Sequence, residues 1–168
     1  MGMMVTTFDS PLGQMRLCSD GTHLTAVTFA GQKYEETHIP KDAVSGTCPI
    51  LEAAKMWLTQ YFRGNIPKSL PAMKLMGTPF QKQVWELLLE IPYGETVTYG
   101  QLARRLGCKS AQAVGGAVGK NPISILIPCH RVVGADGNLT GYAGGVEKKE
   151  ALLKLEKTSP RGEAGKNL

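Results

Sequence analysis

The stretch Ile123-Ser124-Ile125-Leu126-Ile127-Pro128-Cys129-His130-Arg131-Val132-Val133-Gly134 decides how the chain is read. It opens as an apolar, largely β-branched run, which predicts a fully buried strand. Pro128 lacks a backbone donor and marks where that strand must stop or bend. A thiol, an imidazole and a guanidinium follow at once in Cys129, His130 and Arg131. Thiolate is the nucleophilic form of cysteine, and cationic or hydrogen-bonding neighbours favour it. The competing reading is a small, inert core residue, the usual fate of a free cysteine. His130 and Arg131 weigh against it, because neither type is common beside a core.

Upstream, residues 3–30 alternate and turn like a β-meander. Strands are predicted over 3–8, 14–18 and 22–29, with turns at Ser10-Pro11-Leu12-Gly13 and Asp20-Gly21. Residues 31–47 are polar and read as irregular. Residues 49–62 read as a helix with Ile50, Ala53, Ala54, Trp57, Leu58 and Tyr61 on one face, closed by Gly64. Trp57, Tyr61 and Phe62 read as core rather than as a base-stacking platform. The first half is therefore expected to be a small antiparallel sheet plus a helix, a scaffold without visible chemistry. Pro67 and Pro71 mark a linker, which divides the chain into an N-terminal α/β unit (1–76), a C-terminal unit (77–157) and a polar tail (158–168) expected to be disordered.

The second unit begins with a capping box, Thr78-Pro79-Phe80-Gln81, with proline at the first helical position. Phe80, Val84, Leu87, Leu88 and Ile91 form its apolar stripe, and Pro92 and Gly94 close it. A helix-turn-helix follows. Thr98 and Gln101 form a second capping box, and Leu102, Ala103 and Leu106 point inward. Gly107 suits a left-handed C-cap. Cys108-Lys109 makes the turn, and Ser110 caps a helix over 111–119. Gly115 and Gly116 inside it each cost about 1 kcal/mol relative to alanine. Such a helix suits close approach by another protein element or by DNA, and the residues alone leave both open. A Gly-rich loop over 134–145 carries Tyr142, and a last helix over 146–157 carries Leu152, Leu153 and Leu155.

Composition narrows the partners. The chain has 168 residues, 42% hydrophobic and 20% charged, with net charge +5 and pI ≈ 9.1. Residues 1–77 hold seven Lys and Arg against six Asp and Glu, and residues 78–168 hold twelve against eight. The basic excess thus lies with Cys129 and fits a polyanion such as nucleic acid. No apolar run approaches the roughly 18 residues of a membrane span. No secretory signal is seen either, so a cytoplasmic protein is expected. Cys18, Cys48, Cys108 and Cys129 form no C-x-x-C pair, and with three histidines no metal or disulfide framework is suggested. The myristoylation pattern at residues 1–6 and the sequon Asn138-Leu139-Thr140 do not suit a cytosolic protein. Gly119-Lys120 fails as a phosphate-binding loop, since Val114 and Asn121 occupy the places of its first Gly and its Ser/Thr.

The run Pro128-Cys129-His130-Arg131-Val132, with Asn121-Pro122 before it and Gly141-Tyr142-Ala143-Gly144-Gly145 after it, resembles the signature of the 6-O-alkylguanine-DNA alkyltransferases, also called methylated-DNA–protein-cysteine methyltransferases. The resemblance spans residues 6–156. It implies an α+β fold, with a ribonuclease H-like N-terminal unit and a mainly helical C-terminal unit bearing a winged-helix-like helix-turn-helix. It implies alkylated double-stranded DNA as partner, no cofactor, no required protein partner and a monomer. The helix over 111–119 would lie in the minor groove. The alkylated guanine would be flipped out of the duplex, and its alkyl group passed irreversibly to Cys129 in a single turnover. An alkylated 4-oxygen of thymine would be a minor substrate.

The same resemblance implies residue roles. Cys129 is the acceptor, His130 its base acting through a water, and Glu150 the carboxylate that orients the histidine. Tyr99 donates a proton to the leaving guanine, and Asn121 braces the active-site turn. Tyr99, Ala111, Gln112, Ala113, Gly115 and Arg131 fall on the DNA side, with Arg131 in a supporting role. Val118, Tyr142, Ala143 and Gly144 fall around the base, where Thr140 and Ala143 would influence the alkyl size accepted. Gln112 stands where the family usually has an arginine that fills the hole left by the flipped base. Losing charge and guanidinium stacking predicts weaker duplex affinity. Competing functions are a non-catalytic lesion binder, a helix-turn-helix regulator with a redox-sensing thiol, and a Cys-His-Glu hydrolase. Respectively, the presence of Cys129, the lack of base-reading side chains on the second helix, and the basic DNA-binding unit weigh against them.

Overall fold

The computed structural model describes residues 2–67 and 69–158. Strands β1 (Met4–Ser10), β2 (Gly13–Ser19) and β3 (Leu24–Phe29) form the expected antiparallel meander. In the central strand β2, Met15 pairs with Phe8 on one side and Phe29 on the other, which fixes the buried face. Residues 31–47 are less irregular than expected. They hold a short helix α1 (Glu35–His38) and a strand β4 (Val44–Ser45) lying parallel to β1, so the sheet has four strands in the order β3-β2-β1-β4. Two residues of strand are too short for any alternation to signal.

Helix α2 (Pro49–Phe62) has the expected bounds. Its buried face is Leu51, Ala54, Leu58 and Tyr61, whereas Ala53 is exposed. Helix α3 (Pro79–Leu88) starts on its capping box: Gln81 N–H donates to Thr78 Oγ1 at 3.1 Å, and Thr78 N–H donates to Gln81 Oε1 at 3.0 Å. Thr98 and Gln101 repeat the device at the start of α4 (Tyr99–Leu106), which ends on Gly107 at φ 66°. Ser110 caps α5 (Ala111–Gly119) by accepting from Ala113 N–H at 3.0 Å. The Trp85 indole N–H donates to Ala117 O at 2.8 Å and fastens α3 to α5. Two short parallel strands, β5 (Val97–Thr98) and β6 (Val132–Val133), sit beside this helix-turn-helix, and α6 (Val146–Thr158) closes the fold. The expected tail lies outside the described residues apart from Thr158.

The apolar run of the motif is buried, but it is not a strand. Ile123 bridges Val27 of β3, after which the chain doubles back so that Ser124 bridges Ile127. Ile125 takes φ 73°, a left-handed conformation uncommon for a β-branched residue. Burial on every side reads the same in sequence whether the chain is extended or folded on itself. The Asn121 side chain holds the doubled segment. Its Nδ2 donates to Ile127 O at 2.8 Å, and its Oδ1 accepts from Ile123 N–H at 3.0 Å. Since β3 also exchanges backbone hydrogen bonds with Pro122 and Ser124, one apolar core runs through both halves of the chain.

Candidate active site

Cys129, His130 and Arg131 form a single 3-10 turn at the exit of the doubled segment. Cys129 is 7% exposed and its amide donates to Ile127 O at 2.8 Å. Burial pushes its thiol pKa up, while the Asn121 amide and the Lys149 charge pull it down without cancelling the rise. The resting residue is therefore a thiol that needs a base.

The next residue, His130, is a candidate. It is fully buried, and its Nε2 lies 2.6 Å from Glu156 Oε2. Burial lowers the imidazole pKa, against the opposing pull of the Glu156 carboxylate, and so keeps the ring neutral. With the ring proton on Nε2 facing the carboxylate, Nδ1 carries the lone pair. Nδ1 has no protein partner among the described residues.

Glu156 is the centre of the buried network. Besides His130 it accepts from Arg131 Nε at 2.8 Å and Nη2 at 3.1 Å, from Tyr61 Oη at 2.6 Å, and from Gly94 N–H at 3.1 Å. Burial alone would raise its pKa. The hydrogen bonds and charges of His130 and Arg131 outweigh burial and hold the carboxyl well below the usual range. The expectation of Glu150 in this place is corrected, since Glu150 is exposed on α6. Glu150 and Glu156 both sit on the last helix, and spacing alone could not choose between them. Arg131 is corrected as well. Its guanidinium is turned inward onto Glu156 and Ile91 O, the latter at 2.7 Å, and does not face a partner.

Two further residues were not anticipated. Tyr61, from the half taken as a chemically silent scaffold, reaches Glu156 and stacks on Trp57. Lys149 is buried, with Nζ donating to Thr140 O at 2.8 Å, and its charge acts on Cys129. Burial lowers its pKa and attraction to Cys129 raises it. A lysine in an amphipathic terminal helix ordinarily signals solvent, so neither residue carried a signal.

A cavity of about 790 Å³ opens between α5 and the Gly-rich loop, lined by Tyr99, Gln112, Gly115, Gly116, Tyr142 and Ala143 among others. Ala111 also lines it, whereas Ala113, Val118 and Gly144 do not. Val118 points into the core instead. Gly144 serves the pocket indirectly: a Cβ there would lie 2.8 Å from Phe29 and 3.1 Å from Tyr142, which is too close for the wall to stay in place. Tyr99 Oη donates to Thr140 O at 3.2 Å. A Cβ at Gly116 would meet nothing, so the helix presents bare backbone to the groove. Tyr99 and Tyr142 line the cavity and also interact electrostatically with the Cys129 sulfur. Among the described residues no group of three His, Cys, Asp or Glu could hold a metal ion.

A buried cysteine followed in the chain by a buried His-Glu pair, together with a groove lined by a glycine-bearing helix, suits thiol chemistry on a large substrate. Comparison with known proteins narrows that chemistry. Residues 3–75 match the family model for the 6-O-methylguanine DNA methyltransferase ribonuclease-like domain, and residues 79–158 match that for the DNA binding domain of the same proteins. The methylated-DNA–protein-cysteine methyltransferase of Mycobacterium tuberculosis is 46% identical over 157 residues, covering 90% of this chain and 91% of that protein. Its counterpart in Haemophilus influenzae is 43% identical, covering 90% and 85%. The crystal structure of Mycobacterium tuberculosis OGT in complex with DNA superposes with a TM-score of 0.85 at 41% identity, covering 93% of this chain and 94% of that one. The chain belongs to the 6-O-methylguanine DNA methyltransferase family.

Proposed function

We propose that the protein repairs alkylated DNA by taking the alkyl group from the 6-oxygen of guanine onto Cys129. The observation that carries this reading is the buried His130–Glu156 pair directly following a buried Cys129 in the chain, with His130 Nε2 held by Glu156 and Nδ1 without a protein partner among the described residues. As the flipped base enters the cavity, the Cys129 proton passes to His130 Nδ1, directly or through water. Sulfur attacks the alkyl carbon, a carbon–sulfur bond forms and the carbon–oxygen bond breaks. Guanine leaves with the electron pair and takes a proton, for which the Tyr99 phenol at the cavity wall is the donor. The Glu156 carboxylate stabilises the imidazolium, as the third member of a hydrolase triad does. The product is a thioether with no labile bond, so each molecule acts once.

Asn121 shapes the turn that presents the sulfur, and Lys149 favours the developing thiolate. Ala111, Gln112 and Gly115 are placed to meet the duplex, and Tyr142 and Ala143 to hold the base. The two family matches support separate units for residues 1–76 and 77–157, joined by a common core. Four free cysteines, one of them reactive, suit a reducing cytoplasm. No helix among the described residues is long and apolar enough to cross a membrane. A monomer meets every requirement of the relay, and alkylated thymine would enter the same cavity as a minor substrate.

The deciding experiment uses a duplex with a labelled methyl on guanine oxygen. After incubation, proteolysis and mass mapping should find at most one label per chain, on Cys129, and none in Cys129→Ser. Release of free methanol with catalytic turnover would favour the hydrolase reading instead.

A further inference from the structure

The groove has a wall that the relay does not explain. Lys33 and Tyr34, from the loop before α1, line the same cavity as Gln112 and Gly116. Tyr34 is 38% exposed and holds φ 68°, a left-handed conformation uncommon in a non-glycine residue. Two ammonium groups converge on its ring, Lys33 Nζ at 5.1 Å and Lys120 Nζ at 5.7 Å from the centroid. Lys120 is the residue that ends α5, and so belongs to the other half of the chain. Among the described residues neither ammonium has a carboxylate partner. Glu35, the nearest acid in sequence, is turned away: it accepts from Gly31 N–H and Thr28 Oγ1 and faces Arg16. The loop is pinned to the base-pocket loop through Lys33 N–H, which donates to Ala143 O at 3.2 Å.

Two like charges gathered on one exposed ring, without a carboxylate partner among the described residues, repel each other at the rim of a groove. Strained backbone that persists at such a place is a mark of function. An anion bridging both ammonium groups would relieve the repulsion, and the anion that a duplex offers along α5 is a backbone phosphate. We propose that Lys33, Tyr34 and Lys120 form a clamp for one or two phosphates of the DNA strand that lies along α5. The clamp gives the N-terminal half a direct part in DNA binding. It also supplies positive charge on the groove that Gln112, lacking a guanidinium, does not. The proposal rests on the alkyl-transfer reading, which is what brings DNA to α5.

The test is the salt dependence of duplex binding. Each neutralised phosphate contributes a slope of about −0.9 to log K against log salt. Binding of a fluorescent duplex is titrated across a salt series for the parent, for Lys33→Ala/Lys120→Ala, and for Lys33→Arg/Lys120→Arg. The double alanine variant should have a slope shallower by about one to two, and the double arginine variant should keep the parent slope. The alanine variant should also lose more in duplex affinity than in its rate with free 6-O-benzylguanine, which needs no phosphate contact. A parent-like slope in the alanine variant overturns the clamp. That failure is distinct from failure of the underlying reading: the parent would still transfer a methyl from duplex to Cys129. Absence of that transfer would remove the reading and the clamp together.

Discussion

Replacing Glu156 by glutamine removes a negative charge that five donors share. Those donors are His130 Nε2, Arg131 Nε and Nη2, Tyr61 Oη and Gly94 N–H. Glutamine keeps the shape and one acceptor oxygen but turns an amide toward groups that also donate. Arg131, 8% exposed, is then a buried cation without a counter-ion. Removing one partner of a buried ion pair costs about 3–5 kcal/mol. At roughly 2–4 °C per kcal/mol for a chain of this size, the melting temperature should fall by about 6–20 °C. The chemical step should suffer separately, because the His130 ring loses the group that fixes its proton on Nε2. In a serine protease the analogous carboxylate-to-amide change slows the reaction about 10⁴-fold, so a loss of roughly 10²–10⁴ is expected here. Melting is followed by calorimetry. Transfer is followed as a single-turnover rate with protein in excess over methylated duplex, well below the melting point. Glu150→Gln is the control: on an exposed surface it should change stability by less than about 0.5 kcal/mol and leave the rate alone. A slow Glu150→Gln beside a normal Glu156→Gln would refute the assignment.

Four other outcomes follow from the same geometry. His130 has a lowered pKa in the fold, so between its ordinary 6.5 and that lower value the unfolded chain binds more protons, and stability must fall as pH drops through this window; Glu156 adds a further loss as pH falls from its ordinary 4.5 toward its depressed folded value, and a melting temperature independent of pH below neutrality would contradict both. Lys149→Met removes the buried cation whose charge acts on Cys129, so the thiol pKa, read from the pH dependence of iodoacetamide labelling, should rise and methyl transfer should slow; an unshifted profile would take Lys149 out of the reaction. Gly116→Ala should stabilise the protein by about 1 kcal/mol through helix propensity while weakening duplex binding, because its methyl projects into the groove; stabilisation with unchanged affinity would mean that DNA does not approach this backbone. Gln112→Arg should tighten duplex binding at fixed salt, and unchanged or weaker binding would remove the reason given for the family's arginine.

The parts of this molecule that were legible in its sequence are those with local causes. Both capping boxes, Gly107 as a left-handed cap and the bounds of α2 depend on residues within a turn of one another, and they stand as read. Strand β4 was missed because its two residues are ordered by a neighbour distant in sequence. The run 123–127 was mistaken for a strand because burial, not backbone shape, selects its residues. The site divides the same way. Cys129, His130 and Asn121 lie within one short segment whose composition betrays it. Glu156, Tyr61 and Lys149 come to it from helices α6 and α2, where a buried carboxylate or lysine is indistinguishable from a solvated one until the packing is known. The choice of Glu150 over Glu156 failed on this point. Tyr61 was correctly taken as core, and its hydroxyl is what makes that core position part of the relay.

The proposed relay also suits a protein that is consumed by a single transfer. A cysteine held permanently as thiolate would be open to any small oxidant or alkylating agent, and each such event would destroy a molecule. Cys129 is 7% exposed, and burial raises its pKa and favours the thiol. His130, the base in the proposed reaction, is itself favoured in its neutral form by burial and held by a carboxylate paired with Arg131. Reactivity therefore awaits an electrophile that fills the cavity and excludes water, which strengthens the Lys149 and Glu156 charges at the moment they are needed. Selectivity in this design resides in access and desolvation more than in an activated nucleophile. Nonspecific thiol reagents of small size should therefore modify half-buried Cys48 and Cys108 before Cys129, whereas an alkylated base in the groove should reverse that order.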